Sequence, residues 1–277
     1  MRGKFFAALT LAATLLLTGC GGGDQPAQKA DDKSAAKEVT LKIGATPVPH
    51  SELLEEIKPD LKEKGITLEI VEFNDYVQPN IALNDKELDA NFFQHEPYLN
   101  DFIAEHKDVK LKNAGGIHIE PMGIYSKKIK DLKELADGAT VSIPNDPTNG
   151  GRALLLLQKA GLLKLKDGVN EMATVQDIAE NPKNLNVQEV EAAQLPRTLE
   201  DVDISIINTN FAMNADLNPM KDALFIEDKT SPYVNIIAVR DGDENRDDIK
   251  TLVNTLQSDK IKKFIEEKYK GAIVPAF

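Results

Sequence analysis

Cysteine occurs once in the 277 residues and tryptophan not at all. With one thiol, at Cys20, no internal disulfide and no cysteine-built metal site is available, and a thiol nucleophile is improbable. The four histidines stand at 50, 95, 106 and 118 without an H-x-x-x-H pair, so their spacing supplies no metal motif. G-x-S-x-G, P-loop and G-x-G-x-x-G strings are missing, which leaves hydrolase, nucleotide and dinucleotide chemistry without their usual carriers. No pair of acids stands apart from the many Asp and Glu residues, so general acid–base catalysis has no visible carrier. The net charge of −12 is spread without a basic stripe, which argues against nucleic acid as a partner. After the N-terminal leader no second long apolar run follows, so no spanning helix is expected.

What is present begins with Arg2 and Lys4, ahead of the uncharged run Phe5 to Gly19. That run is too short to span a bilayer and has the layout of a secretory signal, so residues 1–19 are expected to be removed. It ends in Leu17-Thr18-Gly19-Cys20, which resembles a lipobox and makes Cys20 the expected lipidation site. Residues 21–38 have no aliphatic side chain larger than alanine and cannot bury a face, so residues 20–38 read as a lipidated cysteine and flexible tether. Lipid plus tether means a chain anchored to a membrane and not crossing it.

From Val39 onward, strand-like and helix-like segments alternate, which predicts an α/β chain with mainly parallel strands. Two long strand-like passages near 116–126 and 224–240 are candidate crossings between lobes. They divide the chain into a first lobe, 39–126 with 227–277, and an inserted lobe, 127–226.

Within the inserted lobe, VSIPNDPTNGGRALLLLQ (141–158) reads as strand, turn and helix. Thr148 or Asn149 can cap the helix, Gly150 and Gly151 offer bare backbone N–H groups, and Arg152 adds a planar cation. Together they make a candidate anion site; the plainer alternative is a loose Gly-Gly turn with a solvated arginine. The first lobe holds an aromatic set, Tyr76, Phe93, His95 and Tyr98, around a strand-to-helix turn. Since successive strand side chains face opposite ways, Phe92 and Phe93 cannot enter the same core, and one of them can line a cleft. Asn208 and Asn235 interrupt apolar strands, and a buried amide there needs either backbone or ligand partners.

The strings GATPVPH (44–50), FNDYVQPN (73–80), DANFFQHEPYL (89–99), SIPNDPTNGGRALLLLQKAGLLKLKDG (142–168), ENPKNL (180–185), QLPRTLEDVD (194–203) and EDKTSPYVN (227–235) resemble the NlpA/MetQ family of lipoproteins, the methionine-binding components of bacterial ABC importers. The resemblance implies a periplasmic-binding-protein fold of the type II-like kind, with two α/β lobes closing over one ligand. It implies no enzyme activity and no cofactor; the partners would be methionine, a membrane permease and its ATPase. It makes Arg152, helped by Asn149, the partner of the ligand carboxylate, and Asn208 and Asn235 the amides that hold the amino and carboxylate groups. Tyr76, Phe93, His95 and Tyr98 would form the side-chain pocket, while His118 stands where relatives place an aromatic. D-Methionine, a methionine-containing dipeptide or another small amino acid would share much of this site. An enzyme or an adhesive surface lipoprotein on the same fold is the alternative class.

Overall fold

Alternation in VTLKIGA turns Leu41, Ile43 and Ala45 inward along β1 (Val39–Ala45). The computed structural model describes residues 38–277; the leader, Cys20 and the tether through residue 37 lie outside the described residues. Helix α1 (Glu52–Glu63) buries Leu53, Leu54, Ile57 and Leu61, one face at helical spacing. Burying each of these side chains contributes about 1.5–3 kcal/mol. It carries the chain to β2 (Ile66–Glu72), which pairs with β1 in parallel. Helix α2 (Gln78–Asn84) then leads to β3 (Ala90–His95), parallel to β1 on its other side.

After α3 (Glu96–Glu105), strand β4 (Leu111–Ile119) ends the first passage through this sheet. The chain changes sheets over Glu120, Pro121 and Met122, and β5 (Gly123–Tyr125) already belongs to the second sheet. There follow β6 (Thr140–Pro144), α4 (Pro147–Lys159), β7 (Asn186–Val190), β8 (Ile204–Ile207), α5 (Thr209–Asn214) and β9 (Phe225–Ile226). Residues 227–233 return to β10 (Val234–Arg240), followed by α6 (Asp247–Leu256), α7 (Asp259–Tyr269) and β11 (Val274–Pro275). The six-stranded sheet has the order β11-β4-β10-β3-β1-β2, and the five-stranded sheet β9-β5-β8-β6-β7. Each sheet has its own apolar core, one around Leu41, Leu54 and Ile237, the other around Val141, Leu157 and Ile206.

This is the two-lobe α/β architecture of a periplasmic binding protein, with three differences from the sequence reading. The sheets are mixed and not mainly parallel, because strands on or beside the crossings run back against their neighbours: β10 is antiparallel to β3 and β4, and β5 to β8. Residues 123–125, assigned above to the first lobe, pair in the second sheet. The passage near 116–126, read as one strand-like crossing, is divided between the end of β4 and the short β5, and the Gly115-Gly116 pair lies where β4 slips register against β10. Among the described residues no helix is long and apolar enough to cross a membrane.

Candidate functional site

Three strand-to-helix turns converge between the lobes: His95 caps α3 at the end of β3, Asp146 caps α4 just beyond β6, and Asn208 stands at the N-cap of α5 after β8. Carboxyl ends of strands in α/β sheets are where ligand crevices form. Tyr76, Phe93, His95, Tyr98, Asn149, Arg152, Asn208 and Asn235 all line one cavity there. Gln94, Glu120, Thr209 and Asn210 complete its wall, and none of these four stood out in the sequence. The one available signal was Glu120, an acid directly after an apolar strand at a crossing.

The start of α4 is built differently from the anion site read in the sequence. Asp146, and neither Thr148 nor Asn149, is the cap: its Oδ1 accepts from the Asn149 backbone N–H at 2.9 Å and from the Thr148 hydroxyl at 3.1 Å. A carboxylate of the chain itself thus occupies the anion position, and the Gly150 N–H is spent on the Asp146 carbonyl at 2.8 Å. The two glycines serve close packing. A Cβ on Gly150 would lie 2.9 Å from the Pro144 carbonyl oxygen, and one on Gly151 2.8 Å from the Ala173 nitrogen. Of this stretch, Arg152 remains as a cation that lines the cavity.

Arg152 is 3% exposed. Its Nε donates to Glu227 Oε1 at 3.1 Å, and its Nη2 to the Glu120 carbonyl at 2.7 Å and to Glu227 Oε2. The guanidinium also lies 4.1 Å over the Tyr233 ring. Among the described residues its Nη1 has no hydrogen-bond partner. Arg152 therefore joins both crossings from the second lobe and keeps one edge for the cavity.

The amides are oriented by their partners. His95 Nδ1 accepts from the Tyr98 backbone N–H at 3.1 Å, so the neutral ring carries its hydrogen on Nε2, which donates to Asn149 Oδ1 at 3.0 Å. Burial, with the Arg152 charge second, pushes the His95 imidazole down to about 3 and keeps it neutral. Asn149 Oδ1 also accepts from Asn208 Nδ2 at 2.8 Å, while Asn149 Nδ2 donates to both Asp146 oxygens at 2.9 and 3.1 Å. Asn149 thus spends all its side-chain capacity on the protein. Among the described residues Asn208 Oδ1 is left buried and unpartnered. Asn235 is turned the other way: its Oδ1 lies 3.0 Å from His50 Nε2, and among the described residues its Nδ2 has no partner.

The result is a cavity with donors at one set of positions, Arg152 Nη1 and Asn235 Nδ2, and acceptors at another, Asn208 Oδ1 and the Glu120 carboxylate. Glu120 is buried, which raises its carboxyl above the usual range, against the opposing pull of His50 and Arg152. The rings of Tyr76, Phe93 and Tyr98 form a cluster with centroids 5.7 to 6.1 Å apart. Phe92, on the opposite side of β3, packs in the first core against His50 at 4.6 Å. Across the lobes Tyr76 donates to Asn210 Oδ1 at 2.5 Å and packs, tilted, against Phe211 at 4.7 Å. Such a site fits a zwitterion carrying an apolar side chain.

His118 does not line the cavity. Its Nε2 meets Glu120 Oε1 at 2.8 Å, behind the wall. His50, His118 and Glu120 have ligating atoms within 4.8 Å of one another, a grouping that sequence spacing did not reveal. At 2.8 and 3.2 Å to one carboxylate oxygen, the two imidazoles are at hydrogen-bonding separations. His106 stands apart, stacked on Phe102 at 4.1 Å.

A sequence profile described as NlpA lipoprotein matches residues 41–277. The methionine-binding lipoprotein MetQ of Bacillus subtilis strain 168 is 45% identical over 279 residues, covering 99% of each chain. The D-methionine-binding lipoprotein MetQ of Escherichia coli K12 is 44% identical over 275 residues, 98% of this chain and 97% of that one. Among solved structures, a nutrient binding protein from Burkholderia cenocepacia bound to methionine superposes with a TM-score of 0.83 at 49% identity, covering 86% of this chain and 100% of that one.

Proposed function

The chain belongs to the NlpA lipoprotein family, and from that membership we propose that it is the substrate-binding component of an ABC importer, a receptor and not an enzyme. It captures methionine between its lobes and delivers it to a membrane permease driven by a separate ATPase. Cys20 carries the lipid that holds the body at the outer face of a membrane. The observation that carries the reading is the polarity of the cleft: donors on Arg152 and Asn235 for a carboxylate, acceptors on Asn208 and Glu120 for an ammonium, and rings beside them for a thioether side chain. Asn149 and His95 contribute by fixing the Asn208 amide.

Calorimetry on the compact body, Lys37–Phe277, stripped of ligand by unfolding and refolding, tests it with both enantiomers of methionine. Wild type should bind methionine well below millimolar. Arg152→Ala should lose about 2–5 kcal/mol, roughly 30-fold to several thousandfold in affinity, and Arg152→Lys should restore only part of it. Phe93→Ala should weaken methionine far more than alanine, whose side chain is too short to reach the rings. No methionine binding by wild type, or an Arg152→Ala variant that binds as wild type does, would sink the proposal.

A further inference from the structure

Behind the donor end of the cleft lies a layer of side chains that the cavity wall does not include. Thr46 Oγ1 stands 2.7 Å from His50 Nδ1, and His50 Nε2 stands 3.0 Å from Asn235 Oδ1 and 3.2 Å from Glu120 Oε1. His50 is wholly buried and has no surface in the cleft. Burial pushes its imidazole down to about 4, partly opposed by Glu120, so the ring is neutral near neutral pH.

The position of its one hydrogen follows from these partners. A carboxylate oxygen and an amide oxygen both accept, so Nε2 must donate, and Nδ1 then takes the Thr46 hydroxyl hydrogen. With the tautomer reversed, a lone pair on Nε2 would face the Glu120 carboxylate at 3.2 Å. Asn235 would also have to turn its NH₂ toward the ring and its oxygen into the cleft. The two ends of an asparagine amide are nearly the same shape, so only hydrogen-bond partners decide which one faces a ligand.

We propose that His50 is a positioning residue that sets the polarity of the Asn235 amide: by holding Oδ1 from behind it presents Nδ2 to the cleft, and so makes the donor end select a carboxylate over a carboxamide. The inference rests on the methionine reading given above. Arg152 Nη1 and Asn235 Nδ2 together match two carboxylate oxygens, whereas a carboxamide would bring an NH₂ group against one of two donors. A ligand carboxamide gains only if Asn235 is free to turn over.

The test is the ratio of dissociation constants for methioninamide and methionine, measured by calorimetry on ligand-stripped protein. Wild type should favour methionine strongly. In His50→Leu the ratio should narrow by about tenfold or more, chiefly through lost methionine affinity. His50→Gln, whose amide nitrogen can reach the Nε2 position, should keep the ratio within about threefold of wild type. In an Asn235→Ala background, His50→Leu should change the ratio no further, because the two act through one amide. A folded His50→Leu variant with an unchanged ratio overturns the proposal, and so does a double variant that narrows the ratio beyond Asn235→Ala alone. Nitrogen NMR of the wild-type His50 ring gives a reading that needs no variant to fold: the Nε2–H tautomer is expected, and the Nδ1–H tautomer overturns the proposal. Wild type that binds no methionine would remove the methionine reading and this inference together, whereas binding with an invariant ratio removes this inference alone.

Discussion

His118 is wholly buried, and among the described residues its Nδ1 meets no partner while Nε2 faces Glu120. Burial pushes its imidazole from 6.5 down to about 3, so the folded chain keeps it neutral where the unfolded chain would protonate it. Below 6.5 the unfolded state therefore binds more protons, and this residue's contribution to stability is complete above that value and is lost as pH falls toward 3. His118→Gln should shed less stability than wild type between about pH 7 and about pH 5, as followed by thermal melts; parallel losses in the two proteins would contradict this. Glu120 shares the network and is raised by burial, which makes the comparison of slopes, not the wild-type slope alone, the informative quantity. The same residues mark how far the site was legible in the sequence. Arg152 was visible as a cation after Gly-Gly, and Phe93 as one of two adjacent rings on opposite faces of a strand, Phe92 packing in one core and Phe93 in another, at the cleft. His50 and Asn235 are separated by 185 positions, and no local pattern reports that an imidazole will stand behind an amide.

Gly151 sits on the side of α4 that meets the backbone near Ala173. A Cβ there would come within 2.7 Å of the Glu171 carbonyl carbon and 2.8 Å of the Ala173 nitrogen. Both are main-chain atoms and cannot swing aside. Gly151→Ala should therefore destabilise the second lobe by about 1–3 kcal/mol despite its better helix propensity, read as a lower melting temperature by circular dichroism. An unchanged or higher melting temperature would mean that the loop yields. Elements whose periodicity is local were legible, among them β1, α1 and α4. The direction of pairing was not, because β10 reads as an apolar run of either sense and only the crossing decides that it enters antiparallel to β3. The capping of α4 was misread for a related reason. Asp, Thr and Asn all favour the cap, and the choice fell to Asp146, directly before Pro147 at the first helical turn.

Two crossings, 120–122 and 227–233, join the lobes, and they are tied to each other by the Glu227 N–H on the Met122 carbonyl at 2.9 Å. Contacts across the cleft, His95 with Asn149 and Tyr76 with Asn210, belong to a closed arrangement. Ligand that touches both walls favours that arrangement by its differential contacts. Methionine added to ligand-free protein should reduce the radius of gyration in small-angle scattering, with the pivot at the crossings; a radius that does not change would show that capture needs no closure. The burial of Arg152 at 3% exposure bears on something outside the molecule, the salinity of its surroundings. Mobile ions weaken attractions only where they can enter, over a distance of about 10 Å at 0.1 M salt in open water, and they cannot enter between a guanidinium and an anion sealed between two walls. Methionine affinity should then stay within about twofold over a tenfold rise in sodium chloride, and a steep salt slope would place the contact in open solvent. A receptor built this way reports the concentration of its ligand in dilute and in saline media alike.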